Sequence, residues 1–387
     1  MRIGMLTTSY PRHEGDVAGA FVRSMAREFV SLGHSIEVLA PRPRVPTDGC
    51  LDPGIDVRWI NYAPGLLRKT FYGAGVPDNL RDPRAWPGLA TFPAALYREA
   101  RLRADRWDAF VSHWALPNAV VAGVLRGRRP HLAVLHSADV HLVRKLPLRA
   151  RVAERIGSSA SELLFASGAH RKTFLDLLPS LSRARLAGRC HASAMGIEPL
   201  LQTRNKRTLR KELGLSGFSV LSLGRLVPIK GIDRAIAAVA PLPDVELIIA
   251  GDGPSRSRLE RGARARFVGV VSGVRKAEFL RAADAFVVPS VELPSGRTEG
   301  TPIAALEAAQ AGLPIIASRT AGLEEVLVHE RSALLVPPGD AVALRAAIER
   351  LRDDAALRRR LGRAAKTVAK RYLWSELGPR FEGLLQG

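Results

Sequence analysis

The chain has 387 residues, 47% hydrophobic and 25% charged, an ordinary globular composition at a length that predicts two domains and excludes a disordered or fibrous protein. Lysine and arginine outnumber aspartate and glutamate by 58 to 37, and the net charge of +21 is compatible with nucleic acid, an anionic membrane, phosphorylated substrates or a merely solvated basic surface. The surplus is spread along the chain with no basic tail, so no nucleic-acid partner is expected. Cys50 and Cys190 are too few for a disulfide framework and lack the spacings of a zinc site. No apolar run reaches the length needed to cross a bilayer, and no leader pattern opens the chain, so a soluble, cytoplasmic protein is expected.

Taken in chain order, short apolar runs at 3–7, 36–40, 109–113, 132–136, 163–166 and, more weakly, 190–194 read as strands, each followed by a helix-length segment. The first helix is predicted over 18–32, with Phe21, Met25, Phe29 and Leu32 at helical spacing and Gly33-His34 as its exit. Residues 61–92, rich in proline and glycine, read as a long insertion loop. Arg144, Lys145, Arg149, Arg151 and Arg155 read as the basic side of one helix carrying Leu146, Leu148, Val152 and Ile156; an anionic bilayer and plain solvent are the two readings of that face. The polar stretch 202–207 marks a connector and the boundary is placed near 198. The strand pattern then restarts at 219–223, 246–250, 265–268, 285–289, 314–317 and 333–336. A last helix over 375–386, introduced by Trp374, follows the final strand and is expected to pack away from the second sheet. The alternation predicts an α/β protein of two tandem doubly wound domains.

Several chemistries lack their residues. No glycine precedes a lysine, so there is no P-loop; no aspartates stand two apart to grip a metal; G-x-S-x-G and H-E-x-x-H are missing. An anionic ligand would then be neutralised by side chains and helix ends, with no metal site expected. The segment 219–233 runs from a strand through Gly224 to Arg225 and Lys230 and opens a helix at Gly231, a geometry suited to a diphosphate. A chain this basic also places two cations after a strand by composition alone, so both readings stand at this point. In the segment 289–307, Thr301 is a good N-cap and Pro302 a good first helical residue, so the amides around Gly300 to Ile303 should form an open anion or hydroxyl site. Glu299 and Glu307 could each accept bonds from paired sugar hydroxyls, or be a loop charge and a solvated helix residue. The small neighbours Ala304, Ala305, Ala308 and Ala309 argue against a solvated Glu307.

Together, Arg225 with Lys230, Ala250-Gly-Asp-Gly-Pro254, Glu299-Gly300 with Glu307 eight residues on, and Pro337-Pro-Gly-Asp340 resemble the glycosyltransferase family 4 group of GT-B enzymes. Thr8-Ser-Tyr-Pro11 with Gly15 and Gly19, and His136-Ser-Ala-Asp139, resemble that family's first loop and its H-G-x-D segment, so the likeness spans nearly the whole chain. The resemblance implies a retaining, metal-independent transfer of a sugar from a UDP-, GDP- or ADP-sugar to an acceptor hydroxyl, in polysaccharide, glycolipid or other glycoconjugate synthesis. It implies an acceptor-binding domain over 1–198, a donor-binding domain over 199–373, facing across a cleft, and a terminal helix over 374–387 crossing back to the first. Arg225 and Lys230 would hold the leaving diphosphate, Glu307 the ribose, and Glu299 with the backbone of Gly300, Thr301, Pro302 and Ile303 the sugar, beside Gly224. His136 would approach the sugar from the first domain, with Gly15, Asp16, Gly19 and Asp139 on the acceptor side. The acceptor could be lipid-linked and the protein peripheral on the inner face of the membrane. Here Gly15 and Gly19 are separated where the family has adjacent glycines, and Ala194-Met-Gly-Ile-Glu198 stands in place of Asn-Gly-Val-Asp. A GT-B epimerase or phosphorylase is the alternative within the fold, though no lysine signature for pyridoxal phosphate is present; a non-catalytic basic protein that binds nucleic acid or membrane is the alternative outside it.

Overall fold

A computed structural model of the chain describes residues 1–45, 52–72, 76–80 and 82–386; Cys50 lies outside the described residues. The chain divides into two units, Met1–Gly196 with Trp374–Gly387, and Ile197–Leu373. Each is α/β, built on an open parallel sheet.

Unit 1 carries β1 (Arg2–Leu6), β2 (Ser35–Pro41), β3 (Ile55–Ile60), β4 (Ala109–His113), β5 (His131–Leu135), β6 (Glu162–Phe165) and β7 (Cys190–Ala192) in the order β3-β2-β1-β4-β5-β6-β7. β1 pairs on one side with β2, Ile3 opposite Ile36, and on the other with β4, Ile3 opposite Ala109. Every residue of β4 and β5 is buried, as a parallel strand covered on both faces requires. β3 is absent from the strands predicted above. At the sheet edge it alternates partly buried with exposed residues, Ile55-Asp-Val-Arg-Trp-Ile60, and lacks the continuous apolar run of an interior strand.

The stretch 61–92 is not the long loop its composition predicts. It contains one-turn helices at Gly65–Leu67, Val76–Asn79 and Pro83–Ala85 and the start of a helix over Trp86–Arg101. Its prolines at 83 and 87 sit in first turns, where the missing N–H costs nothing. Tyr62, Phe71 and Phe92 pack ring against ring, with centroids 4.5 to 5.6 Å apart. The basic run 144–155 is likewise split between two helices, Ser137–Lys145 and Arg149–Ser159, with Leu148 between them in the left-handed conformation at φ 56° and exposed.

Unit 2 carries β8 (Phe218–Leu223), β9 (Val245–Ala250), β10 (Arg266–Gly269), β11 (Ala285–Val288), β12 (Ile315–Ser318) and β13 (Leu334–Val336) in the order β10-β9-β8-β11-β12-β13. Its core gathers Val220, Leu247, Ile249, Val287 and Ile316 from the sheet with Ile348 and Leu361 from the last two helices of the unit. The chain enters and leaves this unit side by side, Ile197 N–H donating to the Tyr372 carbonyl at 2.8 Å. Among the described residues no helix is long and apolar enough to cross a membrane.

The terminal helix, Trp374–Gln386, belongs to unit 1, where it lies against the helix Ala20–Ser31. Trp374, Leu377, Phe381 and Leu385 recur at helical spacing and are all buried. The Trp374 ring covers Gly196 so closely that a Cβ there would stand 2.4 Å from it, and its indole N–H has no hydrogen-bond partner among the described residues. Packing alone therefore holds it. Trp374→Ala is expected to destabilise unit 1 by about 3–5 kcal/mol and Trp374→Phe by clearly less. Denaturation of the two variants checks this, and a wild-type midpoint for Trp374→Ala would contradict the packing.

Candidate active site

In an open α/β sheet, ligands bind beyond the carboxyl ends of the strands where the strand order reverses. In unit 2 that point lies between β8 and β11. Leu223 ends β8 and Gly224 follows at φ 152°, a conformation open to glycine; its N–H donates to the Ala250 carbonyl at 2.9 Å. Arg225 comes next and is exposed. A single 3₁₀ turn, Pro228–Lys230, then brings the chain to Gly231, left-handed at φ 59°, which starts the helix Ile232–Val239.

Lys230 Nζ lies 2.7 Å from Glu299 Oε1, and the other oxygen of Glu299 accepts from the Ser290 hydroxyl. Gly224, Lys230, Ser290 and Pro302 line one recess. Glu307 projects from the helix Ile303–Gln310, its Oε1 2.5 Å from Lys276 Nζ, with the carboxylate only 15% exposed. It is therefore not a solvated helix charge. Lys276 and Ser290 were not singled out from the sequence: nothing in Gly273-Val-Arg-Lys276 distinguishes one cation among 58.

The helix start differs from expectation. Pro302, not Thr301, is the N-cap, and the helix begins at Ile303. The Thr301 hydroxyl donates to the Gly322 carbonyl at 2.8 Å, because Gly322 passes so near Gly300 that a Cβ would come within 2.4 Å of its carbonyl carbon. Among the described residues no side chain caps this helix; Ala305 N–H turns back to the Pro302 carbonyl at 3.0 Å, which leaves the amides of Ile303 and Ala304 uncapped beside Gly300. Asp252 is a turn residue, with Oδ1 accepting from Gly253 N–H at 2.7 Å.

In unit 1 the order reverses between β1 and β4. The loop after β1 carries Gly15 and Asp16, and Asp16 closes it, accepting from Arg12 Nε at 2.6 Å, Arg12 N–H at 3.0 Å and Ala18 N–H at 3.1 Å. Gly19, at φ 70°, starts the next helix where a Cβ would lie 2.4 Å from the Ser9 carbonyl oxygen. Asp16 and the glycines thus shape the loop from within.

His136 ends the β5 segment and precedes the helix Ser137–Lys145, but its side chain makes no capping hydrogen bond. The ring stacks on His113 at an interplanar angle of 10°, with Nε2 3.3 Å from His113 Nδ1, and Phe21 and Trp114 close around it at 4.9 and 5.0 Å. Burial, with a smaller contribution from His170, pushes the His136 imidazole down to about 3, and burial holds His113 well below the ordinary histidine range. Both rings are neutral at pH 7. Asp139 is buried and accepts from Ala115 N–H at 2.8 Å; burial pushes its carboxyl up to about 7. Asp139 therefore fixes the turn after β4.

Two family models match the chain: Glycosyl transferase 4-like domain over residues 18–187 and Glycosyl transferases group 1 over 205–368. The lipopolysaccharide core biosynthesis glycosyltransferase LpsD of Rhizobium meliloti is 40% identical over 163 residues, covering 40% of this chain and 45% of that one. A D-inositol 3-phosphate glycosyltransferase of Acidothermus cellulolyticus is 28% identical over 96% of this chain and 85% of its own length. The crystal structure of Anabaena HepE in complex with UDP-glucose is 19% identical, with a TM-score of 0.71 over 100% of this chain and 99% of that one.

A histidine whose folded value lies below its ordinary 6.5 adds stability that is complete above pH 6.5 and is lost as pH falls toward the folded value. His136 is accordingly expected to stay neutral at pH 5, where an ordinary histidine is mostly protonated. Long-range ¹H–¹⁵N spectra of the ring nitrogens would show this, and an imidazolium pattern for His136 at pH 5 would contradict it.

Proposed function

The chain belongs to the family 4 type of GT-B glycosyltransferases, and on that premise we propose that it moves a sugar with retained configuration from a nucleoside diphosphate sugar to an acceptor hydroxyl, without a metal. One observation carries this reading: at the β8–β11 switch point, Lys230, a glycine turn bearing Arg225, an uncapped helix start and the two carboxylates Glu299 and Glu307 share one end of the sheet.

In this reading Arg225 and Lys230 take the diphosphate. As the bond from the anomeric carbon to the phosphate oxygen breaks, its electron pair leaves with that oxygen, and the two cations stand where the negative charge grows. The acceptor oxygen bonds to the same face of the sugar and its proton passes to the departing phosphate. Glu307 accepts from the ribose hydroxyls, and Glu299 with the backbone from Gly300 to Ile303 orients the sugar. His136, neutral, serves as a hydrogen-bonding group toward the transferred sugar, with Gly15, Asp16, Gly19 and Asp139 shaping the acceptor side. UDP-glucose in HepE supports a nucleotide sugar as donor, and the activity named for LpsD supports glycoconjugate synthesis. UDP, GDP and ADP remain the donor alternatives. The reaction would run in the cytoplasm, with a lipid-linked acceptor and a peripheral contact through the basic residues 144–155 at the inner face of the membrane.

Arg225→Ala and Lys230→Ala are each expected to lower turnover roughly 10²- to 10³-fold, the scale for loss of one transition-state contact, and activity should survive a chelator. Near wild-type rates in both variants, or abolition by EDTA, would reject the leaving-group assignment. Glu307→Ala should weaken the free nucleoside diphosphate as well as the donor, whereas Glu299→Ala should weaken chiefly the sugar-bearing form. Calorimetry with UDP, GDP and ADP and their sugars separates the two; unchanged nucleotide affinity in Glu307→Ala would reject its role.

A further inference from the structure

A second cavity, of about 660 Å³, lies wholly within unit 1 beyond the carboxyl ends of β1, β2 and β3, on the side of the sheet from which an open α/β fold binds ligands. Its walls come from the loop after β1 (Arg12), the segment after β2 (Arg44) and the stretch after β3 (Arg68, Lys69, Tyr72 and Arg84). The stretch after β3 is the one whose composition suggested a loop, and its folded turns place it against the other two segments.

The charge there is unbalanced. Lys69 and Arg84 share a single carboxylate, Asp82, at 3.1 and 3.0 Å, and Arg12 pairs with Asp16. Arg68 donates to two neutral oxygens, the Ala63 carbonyl at 2.9 Å and Asn61 Oδ1 at 3.0 Å, and Arg44 has no carboxylate partner among the described residues. Among the described residues, five cations thus face two carboxylates. The aromatic wall is fixed: the Tyr72 hydroxyl donates to the Pro41 carbonyl at 3.1 Å, the Arg12 guanidinium lies 5.2 Å above its ring, and the Tyr72 carbonyl accepts from Asn79. The arginine forks around it match phosphate oxygens. A phosphate monoester, with a charge near −2, meets a surplus of this size better than a single carboxylate.

We propose that this cavity binds the phosphate of a phosphorylated acceptor, so that the enzyme glycosylates a sugar phosphate or a lipid-borne phosphate rather than a neutral glycan. The proposal rests on the glycosyl-transfer reading of the chain and names the substrate class for its acceptor side. Arg44 and Arg84 are exposed and brace no backbone carbonyl, so they can be changed without unbuilding the loop.

The test uses the full chain with Arg44→Glu/Arg84→Glu, and with Arg44→Gln/Arg84→Gln should charge reversal lower the melting temperature. The probes are glucose 1-phosphate by calorimetry and phosphatidylcholine vesicles carrying phosphatidic acid by co-sedimentation, with phosphatidylglycerol vesicles as the control for surface charge. The variant is expected to bind one probe roughly 10- to 100-fold more weakly, the loss of two charge-assisted contacts, while nucleoside diphosphate affinity is unchanged. Loss in the soluble arm assigns a free sugar phosphate; loss confined to phosphatidic acid vesicles assigns a lipid-borne one. Wild-type binding of both probes by the variant, or binding of neither by the wild-type chain, overturns the proposal. Failure of the donor reading would appear elsewhere, as undiminished nucleotide binding in Arg225→Ala/Lys230→Ala.

Discussion

The candidate site of unit 2 depends on how closely two loops approach. Gly231 passes Pro289 so tightly that a Cβ would stand 2.0 Å from the Pro289 carbonyl oxygen, and two residues away on each loop Val291 N–H donates to the Ile229 carbonyl at 2.9 Å. That contact exists because β8 and β11 are neighbours in the sheet although far apart in sequence, with Phe286 opposite Leu221. The same economy of space recurs one strand away, where a Cβ on Gly251 would lie 1.9 Å from the Gly224 carbonyl oxygen. These glycines serve close approach as well as turning. Any side chain at 231 would push the Lys230 turn away from the segment that carries Ser290 and Glu299.

Within that frame each carboxylate meets a lysine, Glu299 with Lys230 and Glu307 with Lys276. Half-buried pairs of this kind add little net stability, because removing two charges from water offsets most of their attraction. Their consequence is positional. An ammonium has three N–H donors, so one bond to Glu299 leaves Lys230 two for an anion; a carboxylate accepts at about four sites, so the lysines leave room for further donors. The groups are held in place before a ligand arrives, which is the condition under which fixed charges act most strongly on a developing one.

The tandem α/β architecture was legible because interior parallel strands are continuous apolar runs; of the edge strands of unit 1, β7 was readable only weakly and β3 was not readable as such a run. Arg225, Lys230, Glu299 and Glu307 stood out by spacing along single strand–loop–helix segments. What the sequence hides are partnerships between distant segments: Lys276 with Glu307, Ser290 with Glu299, and Thr301 turning to Gly322 instead of capping its helix. None has a local pattern. The stretch 61–92 misled for a different reason, since its prolines open helices and its aromatic residues, widely spaced in sequence, bury one another only once folded.

The +21 charge also acquires a physical account that involves no polynucleotide. Many arginines brace backbone carbonyls instead of meeting acids. Arg129 donates to the Leu125 and Trp107 carbonyls, and Arg171 to those of Ala187 and Cys190. Leu125 and Ala187 are each the last residue of a helix, where carbonyls lack partners and the helix dipole favours a cation. An arginine used this way stabilises the fold without an acidic partner, so its charge is not cancelled within the unit. Part of the surplus is thus carried by arginines at helix ends, and the field of the whole surplus attracts anions.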